Sequence, residues 1–335
     1  MPPALQRSKC CDKPKEDLPG REGSEDSQRK CALYCVVKCP EQDKLSSGML
    51  PTVAIVGAGR VGRALGRRLS ELGWRIGAVV CRSDARARAA VRAIGDGQPH
   101  SVLTRQVVAA EVILIATPDA AVRKVAGELA RIGGEEISGK VILHTSGALD
   151  RAALAPLERR GAATGSLHPL QTFSGRGVPE LEGIFMAIEG APAALQWARR
   201  IARSLGGIPV RIDGRSKPAY HAAGALVAGH GLALVEAATR MLMTLGFTRR
   251  HAARALLPLM RQMLDNFERL GSGPAWTGPL SRGDYSTIAA HASALRRFPR
   301  EYRRAYVALS WLGVALLSRH PETVRPCLAR ALARG

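Results

Sequence analysis

The stretch TVAIVGAGRVGRALG, residues 52–66, decides the fold of this chain. Its first five residues are mostly apolar and rich in β-branched side chains, which predicts a buried β-strand. Glycines follow at positions 57, 59 and 62 in the spacing GxGxxG, and helical periodicity begins directly after them. A glycine-rich turn between a strand and a helix places backbone N–H groups where phosphate groups bind. The stretch therefore predicts an α/β domain that binds a dinucleotide.

The same alternation of strand and helix continues to about residue 213. Strands are predicted at 52–56, 74–80, 111–118, 140–147, 184–190 and 208–213, with helices at 64–72, 84–95 and 120–132. Alternating strands and helices imply a doubly wound, mostly parallel sheet. Beyond residue 214 the strand signals end, and long helical patterns cover 219–246, 250–271 and 298–320. We expect a dinucleotide-binding domain at 49–213 and an all-helical domain at 214–335.

Residues 1–48 differ from the rest in composition. They hold five of the seven cysteines, Cys10, Cys11, Cys31, Cys35 and Cys39, and too little apolar surface to fold alone. We interpret the segment as a disordered or mis-assigned N-terminal extension, with Met49 as the functional start. A metal site on the last three cysteines is the alternative, although their spacing lacks the CxxC pairs of stronger signatures. Our prediction is therefore that the protein has no metal site.

Composition narrows the class of protein. The chain is 46% hydrophobic and 23% charged, without an apolar run long enough to span a bilayer or a visible secretory signal, so we expect a cytoplasmic globular protein. The formal net charge is +21, and residues 49–335 carry 40 basic and 20 acidic residues. These basic residues are spread along the chain without aromatic interleaving, which favours small anionic ligands over nucleic acid. A nucleic-acid binder remains the last alternative.

The type of dinucleotide depends on the end of the second strand. The phosphate turn comprises Gly57, Ala58, Gly59, Arg60, Val61 and Gly62. An NAD site usually shows an acid about 20 residues beyond the glycines, but this sequence has Arg82 and Ser83 there. A guanidinium and a hydroxyl suit a 2′-phosphate, which predicts NADP(H); the alternative is that Asp84 binds the ribose of NAD(H). Thr117 and Pro118 follow a buried strand and are predicted to line the nicotinamide.

Candidate acid and base groups come from three residues. Lys217 lies at a predicted helix N-terminus behind Ser216, a candidate cap, where the helix dipole lowers a lysine pKa. His221 follows at i+4 on the same side of the helix. His168 ends a predicted strand before a proline, which keeps its backbone extended. A solvated lysine and hydrogen-bonded structural histidines are the alternatives.

The candidate substrate-binding residues are Thr277, Arg282 and Asp284 in the loop TGPLSRGD, together with Ser146. Arg282 can hold a carboxylate or phosphate with two hydrogen bonds, and Asp284 can orient it. The alternative is that Asp284 caps the following helix while Arg282 is solvated. Ser146 ends a strand at the edge where ligands bind, although a turn-forming role is equally open.

Six motifs in order, GAGRVGRAL, ATPD, HTSGAL, SLHPLQTF, KPAYHAAGALVAG and TGPLSRGD, carry a resemblance to a known family. Over about residues 50–320 the chain resembles Rossmann-like, NADP-dependent oxidoreductases whose C-terminal half is a domain of unknown function. That family is similar to 6-phosphogluconate dehydrogenase and pyrroline-5-carboxylate reductase. The resemblance implies an NADP domain, a helical C-terminal domain and a homodimer through the helices. Where 6-phosphogluconate dehydrogenases have KxxxN, this chain has Lys217 and His221.

These observations favour an NADP-dependent oxidoreductase that acts on a small anionic carbonyl, hydroxy or imino compound. His168, Lys217 and His221 would supply the acid or base, because hydride transfer to C=O or C=N requires one proton as well. Two alternatives stay open. SLHPLQTF also resembles the His-Pro motif of prephenate and arogenate dehydrogenases, and a non-catalytic NADP-binding regulatory protein would share the coenzyme turn.

Overall fold

The computed structural model describes residues 51–335, whose eight β-strands form one sheet. The strands are β1 Thr52–Val56, β2 Arg75–Val80, β3 Gln98–His100, β4 Val112–Ile115, β5 Val141–His144, β6 Ala163–Pro169, β7 Phe185–Gly190 and β8 Ile208–Arg211. Their order is β3-β2-β1-β4-β5-β6-β7-β8. The predicted strands are confirmed, but β4 and β5 end earlier because Thr117 and Ser146 belong to turns. The predictions for residues 1–48 and their cysteines lie outside the described range.

Helices cover both faces of the sheet. They are α1 Arg60–Glu71, α2 Asp84–Ile94, α3 Arg105–Val108, α4 Asp119–Gly133, α5 Ala155–Glu158 and α6 Pro192–Ser204. In β1, Val53 and Ile55 belong to one buried apolar cluster, and Ala54 and Val56 belong to another. Successive side chains of a strand point to opposite faces, so the two clusters lie on the two sides of the sheet. This burial explains why the strands are apolar throughout.

One strand runs against its neighbour. β7 pairs antiparallel with β6, with Gly165 opposite Gly190, whereas the other described strand pairs are parallel. No helix separates β6 from β7, and a parallel return needs a crossover connection, usually helical. The chain then returns through α6 to β8, which is parallel to β7. The mostly parallel sheet predicted from the sequence is confirmed.

The strand order reverses at β1, which lies between β2 and β4. Val56 at the end of β1 pairs with Ile115 at the end of β4, and Ile115 pairs with His144 at the end of β5. His144 in turn pairs with Ser166 of β6. The turns that follow these strands therefore meet at one edge of the sheet. Open α/β sheets bind ligands at such an edge.

From Gly214 onward the chain is helical. The helices are α7 Lys217–Ala225, α8 Gly231–Thr244, α9 Arg249–Leu270, α10 Ser272–Ala275, α11 Tyr285–Ala294, α12 Arg300–Leu317 and α13 Pro321–Arg334. A π-helical turn, Leu226–His230, joins α7 to α8, so the helix predicted at 219–246 contains an interruption that the sequence pattern did not indicate. Ile288, Val314 and Leu328 form part of a small apolar cluster shared by α11, α12 and α13.

Helices α8 and α9 leave much apolar surface uncovered. Leu232 is 69% exposed, Leu259 is 68% exposed and Phe267 is 57% exposed. The continuous helix Gly214–Thr244 contains an 18-residue window with a mean hydropathy of 1.3, and by length and composition alone it is able to cross a membrane. Only 6% of its apolar window is buried within the chain. A single helix of this kind is weak evidence for a membrane, and uncovered apolar surface of this extent is typical of interaction sites.

Candidate active site

The turn after β1 brings its glycines against neighbouring strands. Gly57 has φ +90°, and a Cβ there would lie 2.6 Å from Cγ2 of Thr117. A Cβ at Gly62 would lie 2.8 Å from the carbonyl oxygen of Gly57. At Gly59, by contrast, a Cβ would meet only that same oxygen, at 4.0 Å. The fold itself therefore requires Gly57 and Gly62, whereas Gly59 faces open space that a ligand can enter.

The open side of Gly59 fits the phosphates of a dinucleotide. Gly59 is the N-cap of α1, no side chain caps this helix, and its first turn carries no acid. Across the turn, Oγ1 of Thr117 is buried without a hydrogen-bond partner, next to Pro118 at the N-cap of α4. A helix N-terminus attracts phosphate, and a buried unpaired hydroxyl calls for a partner. The other predicted contacts vary in burial: Ala58 is buried, Val61 half-buried and Arg60 exposed.

The carboxyl end of β2 lies beside this turn, because the N–H of Gly57 donates to the carbonyl oxygen of Val80 at 2.9 Å. Arg82 is exposed there. Ser83 is the N-cap of α2, and its Oγ accepts a long hydrogen bond of 3.5 Å from a backbone N–H. Asp84 is also exposed, as the first residue of α2. The guanidinium and the hydroxyl suit a 2′-phosphate, while the position of Asp84 keeps the NAD alternative open.

His144, which is not among the residues predicted for the site, shapes the turn after β5. It is completely buried, its Nε2 donates to the carbonyl oxygen of Asp150 at 3.1 Å, and its Nδ1 accepts from the N–H of Ser146 at 3.2 Å. A carbonyl only accepts and an N–H only donates, so these partners define the tautomer. Burial, with a contribution from the charge of Lys217, lowers the pKa of His144 to about 4. It is therefore a neutral group that holds the turn in place.

Lys217 enters the protein interior from the first turn of α7. Its side chain has no exposed surface, and Nζ donates to the carbonyl oxygen of Ser146 at 2.9 Å and to Oγ of Ser166 at 2.6 Å. Burial lowers its pKa to about 8, while the charge of Glu189 acts in the opposite direction. From the sequence, a lowered pKa was expected from the helix dipole behind a Ser216 cap. The structure shows burial as the main cause and no cap hydrogen bond from Ser216.

Ser146, a predicted substrate contact, is turned into the protein. It is 7% exposed, and its Oγ accepts from the N–H groups of Ala148 at 3.2 Å and Leu149 at 3.0 Å. Its carbonyl oxygen is the partner of Lys217. These contacts give Ser146 the turn-forming role that the sequence left open.

Two histidines meet over Gly147. A Cβ on Gly147 would lie 2.7 Å from Nε2 of His168 and would also clash with Nδ1 of His221. The two ring centroids are 5.5 Å apart with the planes at 84°. On its other side, Nδ1 of His168 lies 3.0 Å from the hydroxyl of Tyr220. The structure thus brings His168 and His221 together, with Lys217 in the interior behind them.

Burial sets the protonation of the groups around Gly147. It lowers the pKa of His168 to about 4, with smaller contributions from His221 and Lys217, and it raises the pKa of Tyr220 to about 12. Both side chains are therefore neutral at physiological pH. Burial also raises the pKa of Glu189, whose Oε2 accepts from a backbone N–H at 2.9 Å. In contrast to these buried groups, His221 is exposed.

The predicted anion-binding loop packs on the helical cluster. Thr277 and Arg282 are exposed, and Leu280 and Tyr285 pack against the cluster shared by α11, α12 and α13. The carboxylate of Asp284 accepts from the N–H of Thr287 at 3.1 Å and from two hydroxyls, which together hold its pKa down to about 2. Asp284 is thus the N-cap of α11, as in the alternative left open above. Within residues 51–335, the hydrogen bonds of this loop do not reach the histidine pair.

Ser166 and Tyr220 were missed, although the sequence contains a signal for each. Ser166 and His168 are two residues apart on β6, so their side chains share one face of the strand. Tyr220 lies three residues after Lys217, so both belong to one side of α7. Which strand face meets which helix face depends on packing, and that information is not local.

Comparison with known proteins agrees with this architecture. The Rossmann-like domain profile matches residues 38–169, and the profile of a domain of unknown function, DUF2520, matches residues 184–311. No curated protein sequence matches the chain. The chain does resemble solved structures over most of its length.

Three such structures illustrate the likeness. The “putative NADP oxidoreductase” of Bacteroides fragilis is 20% identical, with a TM-score of 0.66 over 78% of this chain and 97% of that chain. A pyrroline-5-carboxylate reductase from Coxiella burnetii is 14% identical, with a TM-score of 0.52 over 86% and 99%. A reductive aminase from Aspergillus terreus, in complex with NADPH and ethyl-5-oxohexanoate, is 18% identical, with a TM-score of 0.54 over 85% and 95%. At these identities the likeness shows a shared fold.

Proposed function

We propose that this chain, which joins a Rossmann-like domain to a DUF2520 domain, is an NADP(H)-dependent oxidoreductase acting on a small anionic carbonyl, hydroxy or imino compound. One observation carries the proposal. The open Gly59 and the unpaired Thr117 hydroxyl lie at the same sheet edge as the histidine pair over Gly147. A dinucleotide bound at Gly59 and Thr117 would extend its nicotinamide toward the polar groups at the ends of the neighbouring strands. The oxidoreductases that share this fold support the proposal.

The coenzyme would be held by the turn Gly57–Gly62, with Arg82 and Ser83 at the 2′-phosphate and Thr117 and Pro118 nearer the nicotinamide. When bound, a reduced nicotinamide supplies a hydride to a carbonyl or imino carbon and is itself oxidised. The protein then has to supply one proton to the oxygen or nitrogen. A reductive aminase structure that contains NADPH supports the choice of coenzyme.

In this proposal the buried and exposed polar groups have different roles. Lys217 has no exposed surface, so it holds the Ser146 turn through its two hydrogen bonds. His168 and His221 lie together over Gly147, and in this proposal they face the substrate. His221 is the exposed member of the pair, and we assign it the proton transfer. Arg282, an exposed residue, is the candidate anchor for the anionic group of the substrate.

We further propose a homodimer through the helical region. Leu232, Leu259 and Phe267 lie on helices α8 and α9 and remain mostly exposed in the single chain. A second copy would cover this surface, since obligate dimer interfaces are large and apolar. Sedimentation of the full chain in aqueous buffer would show a dimer, whereas a monomer, or a requirement for detergent, would contradict this arrangement.

Coenzyme titration followed by turnover tests the function. We expect NADPH to bind more tightly than NADH, and Arg82→Gln to weaken NADPH binding about tenfold or more while NADH binding changes little, because a charged hydrogen bond is lost. We expect His221→Phe to abolish NADPH oxidation without changing the NADPH Kd. Tight coenzyme binding without turnover of any carbonyl, hydroxy or imino compound would favour the regulatory alternative, and tighter NADH binding would contradict the proposed specificity.

A further inference from the structure

The hydroxyl of Tyr220 lies 3.0 Å from Nδ1 of His168, with the rings nearly perpendicular at 88°. Tyr220 is on α7 and His168 is at the end of β6, so this contact joins the helical region to the sheet. It is separate from the two hydrogen bonds of Lys217, which go to Ser146 and Ser166. The contact occupies the ring nitrogen of His168 that points away from Gly147.

The direction of this hydrogen bond follows from the chemistry of its two groups. Both side chains are neutral at physiological pH, because burial lowers the pKa of His168 to about 4 and raises that of Tyr220 to about 12. A phenol O–H is a stronger donor than an imidazole N–H, and an imidazole nitrogen is a stronger acceptor than a phenol oxygen. The hydroxyl therefore donates to Nδ1. A neutral imidazole carries one N–H, so the hydrogen of His168 is on Nε2.

The charged and titratable groups around His168 agree with a neutral ring. On α7, Lys217 and His221 oppose a positive charge on His168, and His144 on β5 acts in the same direction. Asp119, at the start of α4, favours the charged form but contributes less than the burial of the ring. Nε2 points toward Gly147 and Nδ1 of His221, and His221 is the exposed member of the pair.

We propose that Tyr220 is a positioning residue that fixes His168 as the Nε2–H tautomer, so that this site takes the oxygen of a carbonyl or hydroxy substrate rather than a protonated imine nitrogen. The inference rests on the proposed function and narrows its substrate class. An N–H donor stabilises an oxygen with lone pairs, and more strongly as negative charge develops on that oxygen. A protonated imine carries hydrogen on its nitrogen and offers no lone pair, so it would meet the His168 donor unfavourably.

Nitrogen NMR of the full chain with ¹⁵N-labelled histidine tests the tautomer without any turnover. His168→Asn identifies the His168 signals by their loss. We expect a protonated Nε2 and a bare Nδ1 in the wild type, and a mixture of tautomers in Tyr220→Phe, which removes only the hydroxyl. A wild-type ring protonated on Nδ1 would overturn the inference.

The chain offers a matched control in a second tyrosine–histidine pair. The hydroxyl of Tyr306 lies 3.0 Å from Nδ1 of His291 in the helical region. Tyr306→Phe should change the His291 signals alone and leave those of His168 unchanged. Changes at His168 in this variant would show that the spectra report general disturbance instead of the Tyr220 contact.

Two probes of the same carbon number test the substrate class, 2-oxopentanoate and 1-pyrroline-2-carboxylate. With NADP bound, and at a pH where the nitrogen of the cyclic imine is protonated, we expect the oxo acid to shift the Nε2 signal of His168 and the imine to leave it unchanged. With NADPH, Tyr220→Phe should lower kcat/KM for the oxo acid about tenfold, the effect of one neutral hydrogen bond. A shift caused only by the imine, or by neither probe, would overturn the oxygen site. Failure of NADPH itself to bind would instead contradict the proposed function.

Discussion

Replacing the buried Lys217 with methionine should change how stability depends on pH. Burial lowers the lysine pKa from the usual 10.5 to about 8 in the folded chain. Between these two values the unfolded chain binds a proton that the folded chain does not, so the free energy of unfolding rises with pH. The difference corresponds to about 3 kcal/mol in total, or up to about 1.4 kcal/mol per pH unit. This contribution is lost as the pH falls through about 8 and is complete above 10.5.

Urea unfolding of the wild type and Lys217→Met gives the free energy of unfolding of each from about pH 8 to about pH 10. The difference between the two, plotted against pH, gives the slope that is due to Lys217. The variant also leaves the Ser146 carbonyl and the Ser166 hydroxyl unpaired, which adds an offset independent of pH. Lys124→Met is the matched control, because the Lys124 side chain is 81% exposed and should leave the wild-type slope unchanged. If the difference between wild type and Lys217→Met is the same at every pH, burial does not lower the pKa of Lys217.

Three further predictions concern the coenzyme turn, the histidine pair and the helical surface. Gly59→Ala should raise the NADPH Kd at least tenfold while the melting temperature changes little, because the new Cβ would point into the open space that the coenzyme enters. Gly57→Ala should in addition lower the free energy of unfolding by about 1–3 kcal/mol, because φ is positive at this position. Gly147→Ala should abolish turnover by separating the two histidines, whereas Gly127→Ala, with nothing within 4 Å of the new Cβ, should keep activity and melt at the same or a higher temperature. Phe267→Asp should convert a dimer to a monomer in sedimentation without loss of helix content by circular dichroism, and a dimer that persists would place the interface elsewhere.

Local sequence patterns predicted most of the strands and helices of the fold. The strand before Gly57 and the apolar strands near 113 and 142 were predictable, because buried parallel strands are apolar runs bounded by turns. β3 was missed because Gln98–His100 is a short edge strand without an apolar pattern. The π-helical turn in the 219–246 helix was also missed, since one extra residue in a turn leaves no periodic trace over so short a distance.

Sequence patterns predicted which residues come together in the candidate site better than they predicted how deeply each one is buried. Motif spacing identified His168, Lys217 and His221, which the structure brings into one cluster. Their burial depends on how β6 meets α7, a tertiary contact between distant parts of the chain, so the sequence alone did not show that Lys217 is completely covered. The same limit applies to Asp284. Its local sequence is equally consistent with an N-cap and with a substrate contact, and the structure is needed to distinguish the two.

Gly57 and Gly147, both at the sheet edge, are required for different reasons, so the two positions should vary differently among related chains. Gly57 is tied to its own backbone angle, so any descendant that keeps the turn keeps the glycine. Gly147 has no positive φ, and its Cβ space is filled by His168 and His221. In a chain that has lost both histidines, their rings would no longer exclude a larger side chain at position 147. We therefore expect larger residues to arise at this position together with the loss of the histidines, and such chains would retain coenzyme binding after the loss of the site over Gly147.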